Sequence, residues 1–206
     1  KPTSGQKIAV IGPTADDPLA LLSGYSFPVH LIISEMQAQT EQIITPLQAL
    51  REAYGEQNIR YTKGCHILEK RTAGAPVFPG DAATPMQSSP VSRSTALIPQ
   101  AVKLAQESDV ALVFVGDLAG LFQSGTVGEG SDTDSLQLPG VQQQLLEAVI
   151  ATGKPTIVIM TGGRPYSLGG LEEKVAGYLM AFAPGQEGGR AISDIISGKQ
   201  APSGRL

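Results

Sequence analysis

The sequence has one cysteine, two histidines and no tryptophan among its 206 residues. A lone Cys65 cannot form a disulfide within the chain, so the redox compartment stays open. His30 and His66 are far apart and are not at the spacing of metal ligands, which argues against a zinc site. We therefore predict no metal and no cofactor. Periplasmic, secreted and cytoplasmic locations are all compatible with these features.

Excess positive charge and long apolar runs are also missing. The formal net charge is −4 and no basic stripe is present, so neither a nucleic acid nor an anionic membrane is expected as a partner. No apolar run is long enough to cross a bilayer. Aromatic residues make up only 5% of the chain, and ligand pockets commonly use aromatic faces. If the ligand is a sugar, the chain would supply only part of its pocket.

The chain does contain an alternation of strand and helix patterns. Short apolar runs predict buried parallel strands at residues 8–11, 110–115, 156–160 and 178–182, and residues 59–62 could add another strand. Helical patterns cover residues 46–54, 99–107, 141–151 and 188–196. We predict one α/β domain over residues 1–206, a three-layer sandwich whose open, mostly parallel sheet carries helices on both faces. Residues 70–94, rich in Pro, Ser and Ala, are predicted to form a long surface loop.

The segment at residues 116–139 is the most promising place for chemistry. It directly follows the predicted strand at 110–115, is rich in glycine and carries four acids, Asp117, Glu129, Asp132 and Asp134. In open α/β sheets, ligands bind beyond the carboxyl ends of the strands, where loops carry function. The turn after the first strand has neither the G-x-G-x-x-G pattern nor the Walker lysine, which argues against nucleotide binding.

Five stretches, in order along nearly the whole chain, resemble glycoside hydrolase family 3. Residues 128–140 read GEGSDTDSLQLPG, similar to the family pattern G-E-G-x-D-R-x-x-L-x-L-P-G. Residues 7–16 read KIAVIGPTAD, which resembles the family's first strand and the loop after it. The GYS of residues 24–26 resembles the loop that follows in the family. The fourth strand lies between GKP at residues 153–155 and GRP at residues 163–165, which resemble the family's G-K-P and N-G-R-P. The chain ends with PGQEGG at residues 184–189 and PSGRL at residues 202–206, which resemble the family's closing patterns. Each match alone is weak, whereas the ordered set is specific.

The resemblance implies a retaining, exo-acting β-glycosidase that acts on a terminal β-linked sugar, with a β-glucoside or related oligosaccharide as substrate. In this family the site lies between an N-terminal (β/α)8-type barrel, which carries an Asp nucleophile, and an α/β domain, which carries the acid/base Glu. The resemblance places that role on Glu129. Retaining enzymes need their two carboxyl groups about 5–5.5 Å apart. Because no barrel is present and the chain stops at Leu206, we expect a fragment or separate chain that is inactive alone.

Several other residues receive expectations. Asp117 is expected to shape the site or to accept hydrogen bonds from a loop, and Tyr25 to face the substrate entrance. Asp132 is also a candidate for binding substrate or shaping the site, although it and Asp134 fit better as caps of turns or of the following helix. Arg164 is expected to be a turn residue with an ion-pair role, and Cys65 a small buried hydrophobe.

Two departures from the family pattern stand out. Thr133 replaces its Arg, which removes a charge partner for a neighbouring acid, and Gly162 replaces the Asn of N-G-R-P.

Two alternative functions stay open at this stage. One is a non-catalytic domain, derived from the family, that binds a sugar or a partner. The other is a flavodoxin-like ligand-binding domain unrelated to sugars.

Overall fold

The computed structural model describes residues 1–3, 5–30, 42–70, 89–120 and 124–204. The predicted surface loop at residues 70–94 lies outside this part except at its two ends, as do Arg205 and Leu206 of the closing family pattern. Within the described ranges, no helix combines the length and the hydropathy that a membrane crossing requires.

Five parallel strands form one sheet in the order β2-β1-β3-β4-β5. The strands are β1 (Ile8–Ile11), β2 (Ile59–Thr62), β3 (Val110–Gly116), β4 (Thr156–Thr161) and β5 (Gly177–Phe182). Each lies within one residue of its predicted range. The predicted parallel sheet is therefore confirmed, although flavodoxin-like folds share this strand order and the topology alone does not define a family.

The prediction that the last strand is buried is wrong. Every residue of β1 and β3 is buried, because each of these strands has a neighbour on either side and helices on both faces. β5 is an edge strand that pairs only with β4 in the described structure, and Tyr178 and Phe182 stay 37% and 46% exposed. An apolar run indicates a strand but does not say whether another element covers it.

The helices are α1 (Phe27–His30), α2 (Pro46–Tyr54), α3 (Ile98–Gln106), α4 (Gln142–Ile150) and α5 (Gly188–Ser197). The start of α2 follows from its sequence: the Thr45 hydroxyl accepts the Gln48 N–H, and the Gln48 side chain accepts the Thr45 N–H. This capping box, with Pro46 at the first helical position, satisfies donors that a helix start leaves open. At the other end of the domain, Gly198 closes α5 in the left-handed conformation.

Two hydrophobic clusters lie on opposite faces of the sheet. On one face Ala111, Val113 and Val115 of β3 pack in a cluster with α3 and α4. On the other face Val110, Leu112 and Phe114 of the same strand pack in a cluster with α2 and α5. The alternation follows from the two-residue period of a strand. The result is the predicted three-layer arrangement of helices, sheet and helices.

The carboxyl edge of the sheet is where its loops converge. The strand order changes direction between β1 and β3, and in such sheets this point opens a crevice beyond the strand ends. Gly12, directly after β1, has φ 129°, and a Cβ there would collide with the Phe114 carbonyl. Only glycine allows the loop after β1 to lie so close to β3. The loops that follow β1, β3 and β4 thus meet at one edge.

Candidate active site

The loop after β3 folds back on itself directly beyond the strand. The Gly120 N–H donates to the Val127 carbonyl at 2.9 Å, and the Thr126 N–H donates to the Leu118 carbonyl at 2.8 Å. Gly128 has φ 119°, and a Cβ there would strike the Gly120 carbonyl. The two arms therefore pack backbone against backbone. This geometry requires glycine and places Glu129 just beyond the closed arms.

Glu129 is exposed to solvent and has one hydrogen-bond partner within the described ranges. The Tyr25 hydroxyl, on the loop after β1, donates to its Oε2 at 2.9 Å. The bond and the negative charge of the carboxylate raise the pKa of Tyr25 above its usual value. Both residues were singled out from the sequence, and the fold brings them into contact. The substrate-facing role of Tyr25 stays a prediction.

Asp117 lies beneath this surface, only 2% exposed, at the end of β3. Its two carboxylate oxygens accept the Gly163 N–H at 3.2 and 3.1 Å. Burial raises the pKa of Asp117 to about 6, while the bonds from Gly163 and Tyr166 and the charge of Arg164 act in the opposite direction. Asp117 thus ties the loop after β3 to the loop after β4. Its buried carboxyl holds the scaffold of the site.

The departure at Gly162 has a steric explanation. Gly162 has φ 146°, and a Cβ at this position would collide with the Asp117 carboxylate. The Asn that the family usually carries here does not fit beside a buried carboxyl in this conformation. Asp117 and Gly162 therefore form a matched pair in this chain.

Arg164 has a role that the sequence analysis missed. Its Nη1 donates to the Thr126 carbonyl and its Nη2 to the Ser131 carbonyl, both at 2.6 Å, and Nη1 also reaches the Tyr166 hydroxyl at 3.3 Å. Among the described residues Arg164 forms no salt bridge within 4.0 Å, although its charge acts on Asp117; it bonds instead to main-chain carbonyls of the loop that carries Glu129. The available signal was the position of G-R-P, which directly follows a strand at its carboxyl end.

The acids predicted as turn caps do not act in this way. Asp132 and Asp134 are exposed, and neither accepts a hydrogen bond from another described residue. The hydroxyls do so instead: Thr133 accepts the Ser135 N–H at 3.2 Å, and Ser135 accepts the Gln137 N–H at 3.2 Å. Ser and Thr hydroxyls, like carboxylates, can accept hydrogen bonds from nearby backbone N–H groups. The Thr133 that replaces the family's Arg is thus a turn residue here.

An open cavity of about 490 Å³ lies beside this turn. Asp132 contributes to its wall, together with Thr133, Arg164 and glycine-rich loop residues on both sides of Glu129. Its lining mixes polar groups with apolar ones such as Val91 and Pro139. The ring of Tyr166 is buried, so the cavity offers little aromatic surface for stacking.

Cys65 is fully buried, as predicted from the sequence. Burial raises the pKa of the Cys65 thiol to about 12, with Lys63 acting weakly in the other direction. A thiol is nucleophilic only as thiolate, so this residue is chemically inert in the folded chain. No group of three His, Cys, Asp or Glu side chains in the described structure is arranged to hold a metal ion.

These features define a three-layer α/β domain whose sheet edge presents an exposed carboxylate on a braced, glycine-rich loop. The chain belongs to the glycosyl hydrolase family 3 C-terminal domain family, whose model matches residues 2–206.

Similar proteins are glycosidases of greater length. The chain is 30% identical to a beta-xylosidase of Formosa agariphila, covering 98% of this chain and 23% of that protein. It is also 30% identical to a periplasmic beta-glucosidase of Salmonella typhimurium, over 97% of this chain and 24% of that protein. The solved structure of a β-glucosidase involved in saponin metabolism, from intestinal bacteria, is 30% identical to this chain with a TM-score of 0.77. The match covers 98% of this chain and 28% of that one. The chain spans about a quarter of the length of the curated relatives it matches.

Proposed function

We propose that this chain is the C-terminal domain of a retaining, exo-acting β-glycosidase and that Glu129 is its acid/base. The observation that carries the proposal is an exposed carboxylate at the carboxyl edge of the sheet, held at Oε2 by Tyr25. Its position in the GEG pattern of residues 128–130 agrees with the family resemblance. The substrate is a terminal β-linked sugar such as glucose or xylose, in line with the names of the relatives.

The partner in this proposal is an N-terminal barrel domain that supplies the Asp nucleophile. The fraction of each relative that this chain covers leaves ample length for such a domain. On this view residues 1–206 are one domain of a two-domain site, and the chain is inactive by itself. The low aromatic content agrees with a pocket that is completed by the barrel.

The reaction has two steps in which Glu129 moves one proton each time. In the first, the barrel Asp attacks the anomeric carbon while protonated Glu129 gives its proton to the departing glycosidic oxygen. In the second, the Glu129 carboxylate takes a proton from water, and the water oxygen displaces the Asp from the anomeric carbon. Tyr25 donates to Oε2, and Oε1 accepts no hydrogen bond from another described residue, so we assign both transfers to Oε1.

The test is Glu129→Ala in the full-length glycosidase that carries this domain. We expect a loss of about 100-fold or more in kcat/KM for poor leaving groups, which need a proton, and a much smaller loss for a dinitrophenyl glycoside. Azide should partly restore turnover, because it attacks the glycosyl-enzyme without base assistance. The matched control is Glu173→Ala, an exposed acid before β5, at the opposite edge of the sheet.

Two results would contradict the proposal. Unchanged kinetics of Glu129→Ala would remove its acid/base role. Tight binding of a mono- or disaccharide by the isolated chain in calorimetry, together with that unchanged turnover, would favour the non-catalytic sugar-binding domain instead.

A further inference from the structure

The guanidinium of Arg164 binds the backbone on both sides of Glu129. Its Nη2 donates to the carbonyl of Ser131, two residues after Glu129, and its Nη1 to that of Thr126, three residues before it, each at 2.6 Å. A guanidinium is planar, with donors in a fixed fork, so two simultaneous bonds fix both position and orientation. The segment between the two carbonyls is clamped at its ends by one side chain from a different loop.

Main-chain bonds hold the two ends of the clamped segment, at Thr126, Val127 and Ser131, whereas its middle is held by the bond from Tyr25 to Glu129. Gly128 and Gly130 flank Glu129 and take φ values of 119° and 78°, which glycine adopts freely. Glycine also leaves the backbone many alternative conformations, and Glu129 itself is exposed and contributes no packing. Charge-assisted hydrogen bonds are about twice as strong as neutral ones. The bonds from Arg164 are therefore suited to restrict this segment.

Arg164 is itself held from below. Its Nη1 also contacts the hydroxyl of Tyr166, which is 5% exposed and interacts with the Asp117 carboxyl. Asp117 in turn accepts the N–H of Gly163, the residue before Arg164. A continuous set of contacts thus leads from the buried end of β3 to the loop that carries Glu129. The rigid sheet fixes the clamp, and the clamp fixes the loop.

We propose that Arg164 is a positioning residue for Glu129, an inference that rests on the proposed function. It acts through the backbone carbonyls of Thr126 and Ser131. Loss of the clamp displaces the carboxyl from the glycosidic oxygen. A displacement of about 1 Å can cost about 100-fold in rate. The penalty falls on the step in which the leaving group needs a proton.

The experiment compares Arg164→Ala, Arg164→Lys and Arg190→Ala in the full-length glycosidase. Arg190 is the matched control, because its 3.7 Å ion pair with Glu52 lies on the helical face, away from the sheet edge. For Arg164→Ala we expect kcat/KM to fall about 100-fold on disaccharides and by less than about threefold on dinitrophenyl glycosides. Arg164→Lys should show the same bias at smaller amplitude, since one ammonium group does not span both carbonyls. Glucosides and xylosides are tested in parallel.

A second measurement reports on the clamp directly. Hydrogen exchange of the isolated chain should be faster at residues 126–131 in Arg164→Ala than in the unmodified chain or in Arg190→Ala. The Thr126 and Ser131 amides donate within the loop, to Leu118 and Gly128, and so report its order. Unchanged exchange there would overturn the proposal.

The outcomes separate this inference from the function on which it rests. Equal losses of Arg164→Ala on both classes of substrate would overturn the positioning role, since a general structural defect slows both. If Glu129→Ala spares poor leaving groups, the proposed function itself fails. If Glu129→Ala slows them and Arg164→Ala does not, only the positioning role fails. Should Arg164→Ala not fold, Arg164→Lys decides: a leaving-group bias supports the proposal, and its absence overturns it.

Discussion

The Tyr25 hydroxyl and the Glu129 carboxylate are joined by a 2.9 Å hydrogen bond across 104 residues of chain. Tyr25 belongs to the loop after β1 and Glu129 to the loop after β3, two strands that are neighbours in the sheet. The contact therefore bridges the two loops at the point where the strand order changes direction. Oε1 of the proposed acid/base accepts no hydrogen bond from another described residue.

This contact predicts a change in the titration of Tyr25. The Glu129 carboxylate raises the pKa of Tyr25 first through the hydrogen bond and then through its charge. Glu129→Ala removes both, so the pKa of Tyr25 should fall towards its usual value. NMR titration of isotope-labelled tyrosine in the isolated chain measures this change.

Tyr61 serves as the internal control for that titration. Burial raises the pKa of Tyr61 to about 12, with smaller contributions from Asp16 and Asp17, so Glu129→Ala should leave it where it is. A pKa of Tyr25 that does not respond to the substitution would show that the two side chains are not bonded in solution.

The buried carboxyl of Asp117 predicts a pH-dependent stability. Burial raises the pKa of Asp117 from 3.8 to about 6, so between these values the folded chain holds a proton that the unfolded chain releases. The contribution of Asp117 to the free energy of unfolding is therefore highest below pH 4 and falls as pH rises through about 6. A shift of this size corresponds to about 3 kcal/mol.

Asp117→Asn should remove this dependence, because an amide does not titrate. Urea denaturation at several pH values between 4 and 7 gives the difference in unfolding free energy between the two chains. As pH rises, the unfolding free energy of the Asn variant should increase relative to that of the unmodified chain. Asp134→Asn, at an exposed position, is the control and should run parallel to the unmodified chain. If the unfolding free energies of Asp117→Asn and the unmodified chain differ by the same amount at every pH, the pKa of Asp117 is not raised.

The fit between Asp117 and Gly162 predicts that the family's usual residue is not tolerated here. Gly162→Asn combines a positive φ with a collision against the Asp117 carboxylate, and it should destabilise the chain by about 2–4 kcal/mol in urea denaturation. Gly170→Asn is a matched control, with φ 82° but open space around it, and should show the conformational cost alone.

A double variant tests whether the collision is the cause. Adding Asp117→Ala to Gly162→Asn frees the space, so the two changes together should cost less than the sum of their separate effects. Additive losses would mean that the two positions do not interact.

The thiol of Cys65 predicts slow modification. With a pKa of Cys65 of about 12, almost no thiolate exists in the folded chain at pH 8. A disulfide reagent should react with one equivalent of thiol in urea and, without urea, only at the rate of transient opening. Reaction as fast as that of a small free thiol would contradict the burial.

Local pattern allowed most of the fold to be predicted. The apolar runs at residues 8–11 and 110–115 lie in β1 and β3, because β-branched and apolar residues suit strands with covered faces. Thr45, Pro46 and Gln48 set the start of α2 through bonds within three residues. The burial of β5 could not be predicted, since it depends on which elements lie beside the strand.

The candidate site, like the fold, has features that the sequence predicts and features that only the tertiary structure reveals. The sequence alone, by an ordered set of family motifs, located Glu129 on a glycine-rich loop beyond β3 and identified the family. The roles of Asp117, Asp132 and Tyr25 in the reaction remain predictions. Only the tertiary structure decided that Tyr25 bonds Glu129, that Asp117 requires Gly162, and that Arg164 clamps the loop. These contacts join residues far apart in the chain, and their distances are set by the order of the strands, which local sequence patterns do not encode.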